Sequence, residues 1–154
     1  MPIALDTLAP DFTAPATSDA TFVLSALRGR KVVLFFYPKD STPGCTTESL
    51  QFRDNEPAFA AANAVIVGIS RDSIRSHENF KAKLDLPFAL VSDGDEAICN
   101  LYGVIKQKKM YGRDVRGIER STFVVDADGV LRIEWRGVKV PDHVDEVLAA
   151  VQAL

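Results

Sequence analysis

A cysteine stands at position 45 in the stretch STPGCTTE, residues 41–48, a few residues beyond the apolar run VVLFFY at 32–37. Thiol chemistry needs the thiolate, and a free thiol with a pKa of about 8.5 is only a few per cent ionised at neutral pH. Lowering that value to about 6 makes roughly nine-tenths of the sulfur nucleophilic. A strand that ends at Pro38 and gives way to a helix across Cys45 puts the sulfur in the helix's first turn. Backbone N–H groups there have no intrahelical partner, so they favour an anion. Thr42 is placed to set a hydroxyl against the sulfur, Pro38 to shield the pocket and fix the approach of the loop, and Pro43 with Gly44 to shape a turn. The chemistry also needs a fixed cation to hold the thiolate and polarise a substrate oxygen. Arg120 is the candidate, because it precedes the β-prone STFVV, and a strand starting there can lie beside the end of VVLFFY in one sheet. Glu48, one turn after Cys45, is placed to orient that guanidinium by a bidentate pair.

The elements that must hold these residues follow from the hydrophobic pattern. VVLFFY and AVIVGIS (64–70) are continuous β-prone runs and read as strands buried on both faces. Between them Leu50, Phe52, Phe59 and the alanines at 58 and 60–62 suit a helix, which Pro57 is expected to kink or interrupt. Asp72 or Ser73 caps a second helix, SIRSHENFKAKLD, with Ile74, Phe80 and Leu84 on its apolar face. PFALVSD (87–93) reads as an edge strand, and a short helix at 97–102 turns Ile98, Leu101 and Tyr102 inward before Gly103. STFVVDADGVLRIEW (121–135) reads as a hairpin about Asp126–Gly129. DHVDEVLAAVQAL is a closing helix capped by Asp142, with Val144, Val147, Leu148 and Val151 on one face. Pieces around Phe12 and Phe22 form an N-terminal β-hairpin extension. This order predicts an α/β, three-layer, thioredoxin-like fold, with a central mixed sheet and helices on both faces, in one domain over residues 1–154.

Composition narrows the function. The 154 residues are 47% hydrophobic and 25% charged, with a formal net charge of −3, which argues against general affinity for nucleic acid or anionic membranes. The N-terminus MPIALDTLAPDF lacks a basic segment followed by an apolar core, so no leader is expected and the cytoplasm is the predicted location. In that setting Cys45 and Cys99 read as thiols, not as a structural bridge. Lys106–Arg120, KQKKMYGRDVRGIER, sets six basic residues against Asp114 and Glu119 and reads as a solvated loop, the alternative being a partner-docking or anion-steering surface. His77 and His143 lie on polar helix faces without ligand spacing and read as surface histidines, so neither a metal nor a cofactor is expected. No phosphate-binding glycine motif is present. Disulfide exchange of the thioredoxin type needs C-x-x-C, whereas residue 42 is Thr.

Pro38, Thr42 and Cys45 in PKDSTPGC fit the pattern P-x-x-x-T-x-x-C, and the sequence resembles the peroxiredoxins. FFYPKDSTPGCTTE, KKMYG and GIERSTFVVDADG resemble the bacterioferritin comigratory protein, or PrxQ, branch, and the resemblance runs over nearly the whole chain. It implies a thiol peroxidase acting on hydrogen peroxide and organic hydroperoxides, in which Cys45 attacks the terminal oxygen and becomes a sulfenic acid. By the same resemblance Thr42 and Arg120 hold the peroxide oxygens, Pro38 limits water access, and the protein is a monomer. Many members carry a resolving cysteine five residues after the first, where this chain has Leu50. Others carry it in the following helix, where ENFKAKLD has none. Cys99, in EAICNLYG, reads as a buried core residue. The expected consequence is a one-cysteine cycle completed by an external thiol, from thioredoxin, glutaredoxin or glutathione. The rival from another class is a redox sensor or binding protein switched by oxidation of Cys45.

Overall fold

A computed structural model describes residues 4–154, apart from the side chains of Lys108 and Met110. Residues 1–3, the start of the stretch read above for a leader, lie outside the described residues. VVLFFY offers no polar residue to solvent, and strand β3 (Lys31–Phe36) is accordingly buried along all but its first residue. Further strands are β1 (Thr13–Ala16), β2 (Ala20–Val23), β4 (Ala64–Ser70), β5 (Ala89–Ser92), β8 (Ser121–Val125) and β9 (Leu131–Arg136). Together they form one mixed sheet in the order β2-β1-β5-β4-β3-β8-β9. β3 pairs parallel with β4 and antiparallel with β8, and the last residue of β3, Phe36, sits opposite Ser121. Arg120 therefore enters the sheet beside the exit of β3, as the sequence predicts.

Helices α1 (Pro43–Ala61), α2 (Ile74–Leu84) and α4 (His143–Ala153) cover one face of the sheet, and α3 (Ala97–Leu101) lies on the other. Alternation along β3 divides the core accordingly. Val33, Phe35 and Tyr37 pack with Cys45, Phe52, Phe59, Phe80 and Val147, whereas Val32, Leu34 and Phe36 pack with Ile98, Cys99, Tyr102 and Phe123. Each such large apolar side chain contributes about 1.5–3 kcal/mol of burial. The three-layer α/β architecture with an N-terminal hairpin is the predicted one.

Several local expectations are corrected. β5 is an interior strand, because the N-terminal hairpin adds to its outer side through Ala16 opposite Val91. α1 runs unbroken through Pro57. It also starts earlier than a turn at Pro43–Gly44 would allow: Pro43 occupies the first helical position, where its missing N–H costs nothing. Leu101 is exposed, while Ile98 and Tyr102 are buried. Asp142 precedes α4 with a left-handed backbone and makes no side-chain cap, whereas the Ser73 hydroxyl accepts from the Ser76 N–H at the start of α2. The basic segment is not a loop but a hairpin, β6 (Ile105–Met110) with β7 (Arg113–Ile118). It turns on Tyr111 and Gly112, both at positive φ, the backbone that two-residue hairpin turns require. Its predominantly polar strands carry no hydrophobic period, which is why the pairing escapes sequence reading. Glu96, accepting from Arg71 and Arg116, ties it to the body.

Candidate active site

Cys45 is the third residue of α1 and is 1% exposed. No described carbonyl or side chain accepts from the N–H groups of Gly44 and Cys45, so the first turn faces the site with donors unspent. Thr42 holds the N-cap position with extended backbone but does not cap with its side chain. Its hydroxyl instead donates to the Lys39 carbonyl at 2.7 Å. The hydroxyl proton is thus committed to Lys39, and the Thr42 oxygen keeps its capacity as an acceptor. Pro38 is exposed, two residues beyond the end of β3.

Arg120 supplies the cation. Its Nη2 donates to Cys45 Sγ at 3.3 Å and its Nη1 to Glu48 Oε1 at 2.7 Å. The fork thus joins two residues of α1, one helical turn apart. Glu48 is fully buried, and one carboxylate oxygen meets one guanidinium nitrogen, a single contact where a bidentate pair was expected. Arg120 pairs here and not with Glu119 or Asp126. Burial works against the Arg120 charge, but attraction by Glu48 and Cys45 outweighs it and raises the guanidinium above its ordinary value. Burial pushes the Glu48 carboxyl up to about 7, against the pull of Arg120. Gly44 makes the close approach possible: a Cβ there would stand 3.1 Å from Arg120 Nη2.

Behind the site is a polar network that the sequence reading missed. His77 is wholly buried, not on the surface. Its Nε2 lies 3.0 Å from the Val91 carbonyl, which can only accept, so Nε2 carries a hydrogen. Its Nδ1 lies 2.7 Å from Asp40 Oδ2. Asp40 also accepts from the Tyr37 and Ser76 hydroxyls, while its own N–H donates to Asp72. Burial first, then the Asp40 charge, holds the Tyr37 phenol well above its ordinary value. These bonds fasten the Lys39–Thr42 turn, with Ser41 at a φ of 63°, to α2. His143 is buried too, its Nε2 2.8 Å from the Thr122 hydroxyl. Local pattern gives no hint of either histidine's burial, since the partners lie 37 and 21 positions away in sequence.

The second thiol has a different setting. Cys99 is wholly buried in the cluster on the opposite face of the sheet. Its N–H and that of Ile98 donate to the Asp93 carboxylate at 2.7 and 3.0 Å. Burial, then the bond and charge of Asp93, push its thiol far up.

This pocket on this fold defines a class. Residues 5–133 match the AhpC/TSA family, and the chain belongs to it. Peroxiredoxin Bcp of Xanthomonas campestris pv. campestris is 56% identical over 130 residues, 84% of this chain and 81% of the relative. Peroxiredoxin Bcp of Bacillus subtilis is 46% identical over 152 residues, 99% of this chain and 97% of the relative. Among solved structures, a complex of the Xanthomonas campestris bacterioferritin comigratory protein superposes with a TM-score of 0.89 at 51% identity, covering 92% of this chain and 90% of that one. A cysteine-to-serine variant of Xylella fastidiosa PrxQ gives 0.89 at 39% identity, covering 97% and 98%. The resemblance to the bacterioferritin comigratory branch of peroxiredoxins therefore holds along the chain, and these homologues support a thiol-dependent peroxidase function.

Proposed function

We propose that the protein reduces hydrogen peroxide and organic hydroperoxides through Cys45, in a one-cysteine cycle completed by an external thiol, the whole reaction carried by one domain over residues 1–154 of a cytoplasmic monomer. The observation that carries this reading is the Arg120 fork, with Nη2 3.3 Å from Cys45 Sγ and Nη1 on Glu48. A cation and unspent N–H donors around a buried sulfur favour the thiolate. The thiolate attacks the terminal peroxide oxygen, the O–O bond breaks, and the sulfur becomes a sulfenic acid. Arg120 and the first-turn N–H groups are fixed where charge develops along that bond. Thr42 accepts from the peroxide O–H, Glu48 holds the guanidinium, and Pro38 sets the direction in which the chain leaves β3.

An open groove of about 480 Å3 beside the first turn of α1, lined by Pro43, Gly44, Thr47, Gln51, Val140, Pro141 and Asp142, suits the tail of an organic hydroperoxide along its uncharged residues. The related Xanthomonas structure is described as one of alkyl peroxide reduction, which agrees with that substrate class. The one-cysteine cycle is supported by Leu50, by the cysteine-free α2, and by the sheet that stands between Cys45 and Cys99. Two sulfurs can bridge only when their Cα atoms approach within about 7 Å. No described helix is long and apolar enough to cross a membrane.

Steady-state peroxide reduction tests the reading, with thioredoxin and glutathione–glutaredoxin systems run side by side. Cys45→Ser is expected to lose at least about a thousandfold in rate and Cys99→Ser to stay within about twofold of wild type. Equal loss in both variants overturns the one-cysteine cycle. A single oxidation without turnover under every reductant overturns the peroxidase in favour of a sensor.

A further inference from the structure

We infer that Glu48 is the proton store of the reaction: while the sulfur is reduced, the proton given up by the Cys45 thiol rests on Glu48 Oε2, and it leaves for the oxygen released when the peroxide bond breaks. The inference rests on the peroxidase reading and adds to it the source of a proton that the reaction must find.

The geometry is a charge count. One guanidinium stands between two groups able to become anions, and both Cys45 and Glu48 are buried. Ionising both would leave one uncompensated negative charge inside the fold, a state that costs several kcal/mol. His143, at the start of α4, is a further basic group that Arg120 influences. Burial lowers it, Glu146 raises it, and Arg120 lowers it again, so the net shift favours the neutral ring. The two oxygens of Glu48 are also unequal: Oε1 takes the Arg120 N–H, whereas Oε2 is buried with no hydrogen-bond partner among the described residues. A proton on Oε2 removes the charge and keeps the bond to Arg120. Burial also moves the carboxyl to about 7, so the store is filled below neutrality and empties above it.

The step balances. Cys45–S⁻, Glu48–COOH and ROOH give Cys45–SOH, Glu48–COO⁻ and ROH. The S–O bond forms as the O–O bond breaks, sulfur gives two electrons to the peroxide, and the departing RO⁻ takes the proton of Glu48. Once the sulfur is a neutral sulfenic acid, Arg120 has a single anion to serve, which shifts the balance toward the Glu48 carboxylate. Two molecules of an external thiol return Cys45–SH, a disulfide and water, and the new thiol proton refills the store.

The test is proton bookkeeping in a single turnover. Reduced protein in weak buffer with an indicator dye is mixed with one equivalent of hydrogen peroxide, and proton uptake is counted per thiolate lost, read from its ultraviolet absorbance. Wild type is expected to take up clearly less than one proton at about pH 5.5 and close to one at about pH 8.5, because the store empties as pH rises through its midpoint. Glu48→Gln, with no proton to give, is expected to take up one at both. Uptake of one proton by wild type at the lower pH overturns the store, and so does zero uptake by Glu48→Gln, since the proton then has another source. If Glu48→Gln does not fold, infrared difference spectra of wild type decide. Loss of a protonated-carboxyl stretch on oxidation supports the inference and its absence overturns it. Failure of peroxide to consume the thiolate at all would instead refute the peroxidase reading, so the two failures are distinguishable.

Discussion

Cys45 and Cys99 occupy the same place in two different helices: each is the third residue, each is buried, and each lies behind an extended segment of the same sheet. What differs is the charge that meets the first turn. At α3 the N–H groups of Ile98 and Cys99 are already taken by the Asp93 carboxylate, so the helix start is neutralised from within and the thiol faces an anion. At α1 the N–H groups of Gly44 and Cys45 have no described acceptor, and the sulfur faces Arg120. Position in a helix is therefore not enough to make a cysteine reactive. Under the proposed function, the difference is whether the fold has spent the donors on its own carboxylate or kept them for a substrate.

Three substitutions probe that contrast. Arg120→Lys keeps a positive charge but loses the fork that reaches Glu48 and Cys45 together, and the rate of Cys45 oxidation by peroxide should fall by about 10²-fold. A fall of less than about threefold would show that charge alone suffices. Gly44→Ala places a methyl group against the guanidinium at 3.1 Å. It should slow oxidation by about tenfold while leaving thermal stability equal or slightly raised, because alanine is the better helix former. Loss of both activity and stability would mean that the turn itself had been damaged. Asp93→Asn weakens the acceptor at α3 and should cost about 1–3 kcal/mol in chemical denaturation, with peroxide turnover unchanged within about twofold. A large change in turnover would tie the Cys99 pocket to the reaction and erase the contrast.

How much of this can be read from the chain depends on the range of the interactions. The strands at 32–37 and 64–70 and the closing helix are legible because hydrophobic period and burial coincide there. The site is legible at Cys45, Arg120 and Glu48, because the end of one strand and the start of another determine where the side chains meet. Thr42 is legible as a position but not as a bond, since a local carbonyl at Lys39 takes the hydroxyl proton. Pro38 is legible as the residue that ends the apolar run, since it stands exposed just after Tyr37. The buried histidines were illegible, because His77 is held by Asp40 and Val91, and His143 by Thr122, all contacts made by folding rather than by neighbours in sequence. The hairpin at 105–118 was illegible for the opposite reason: β7 has no buried face along most of its length to leave a period.

The central claim is that Cys45 carries the oxidation chemistry alone. Mass mapping of the protein after one equivalent of hydrogen peroxide, with a sulfenic-acid trap present and no reductant, tests it most directly. The account predicts the trapped adduct on the peptide containing Cys45 and an unmodified Cys99. A Cys45–Cys99 disulfide, or an adduct on Cys99, would contradict it.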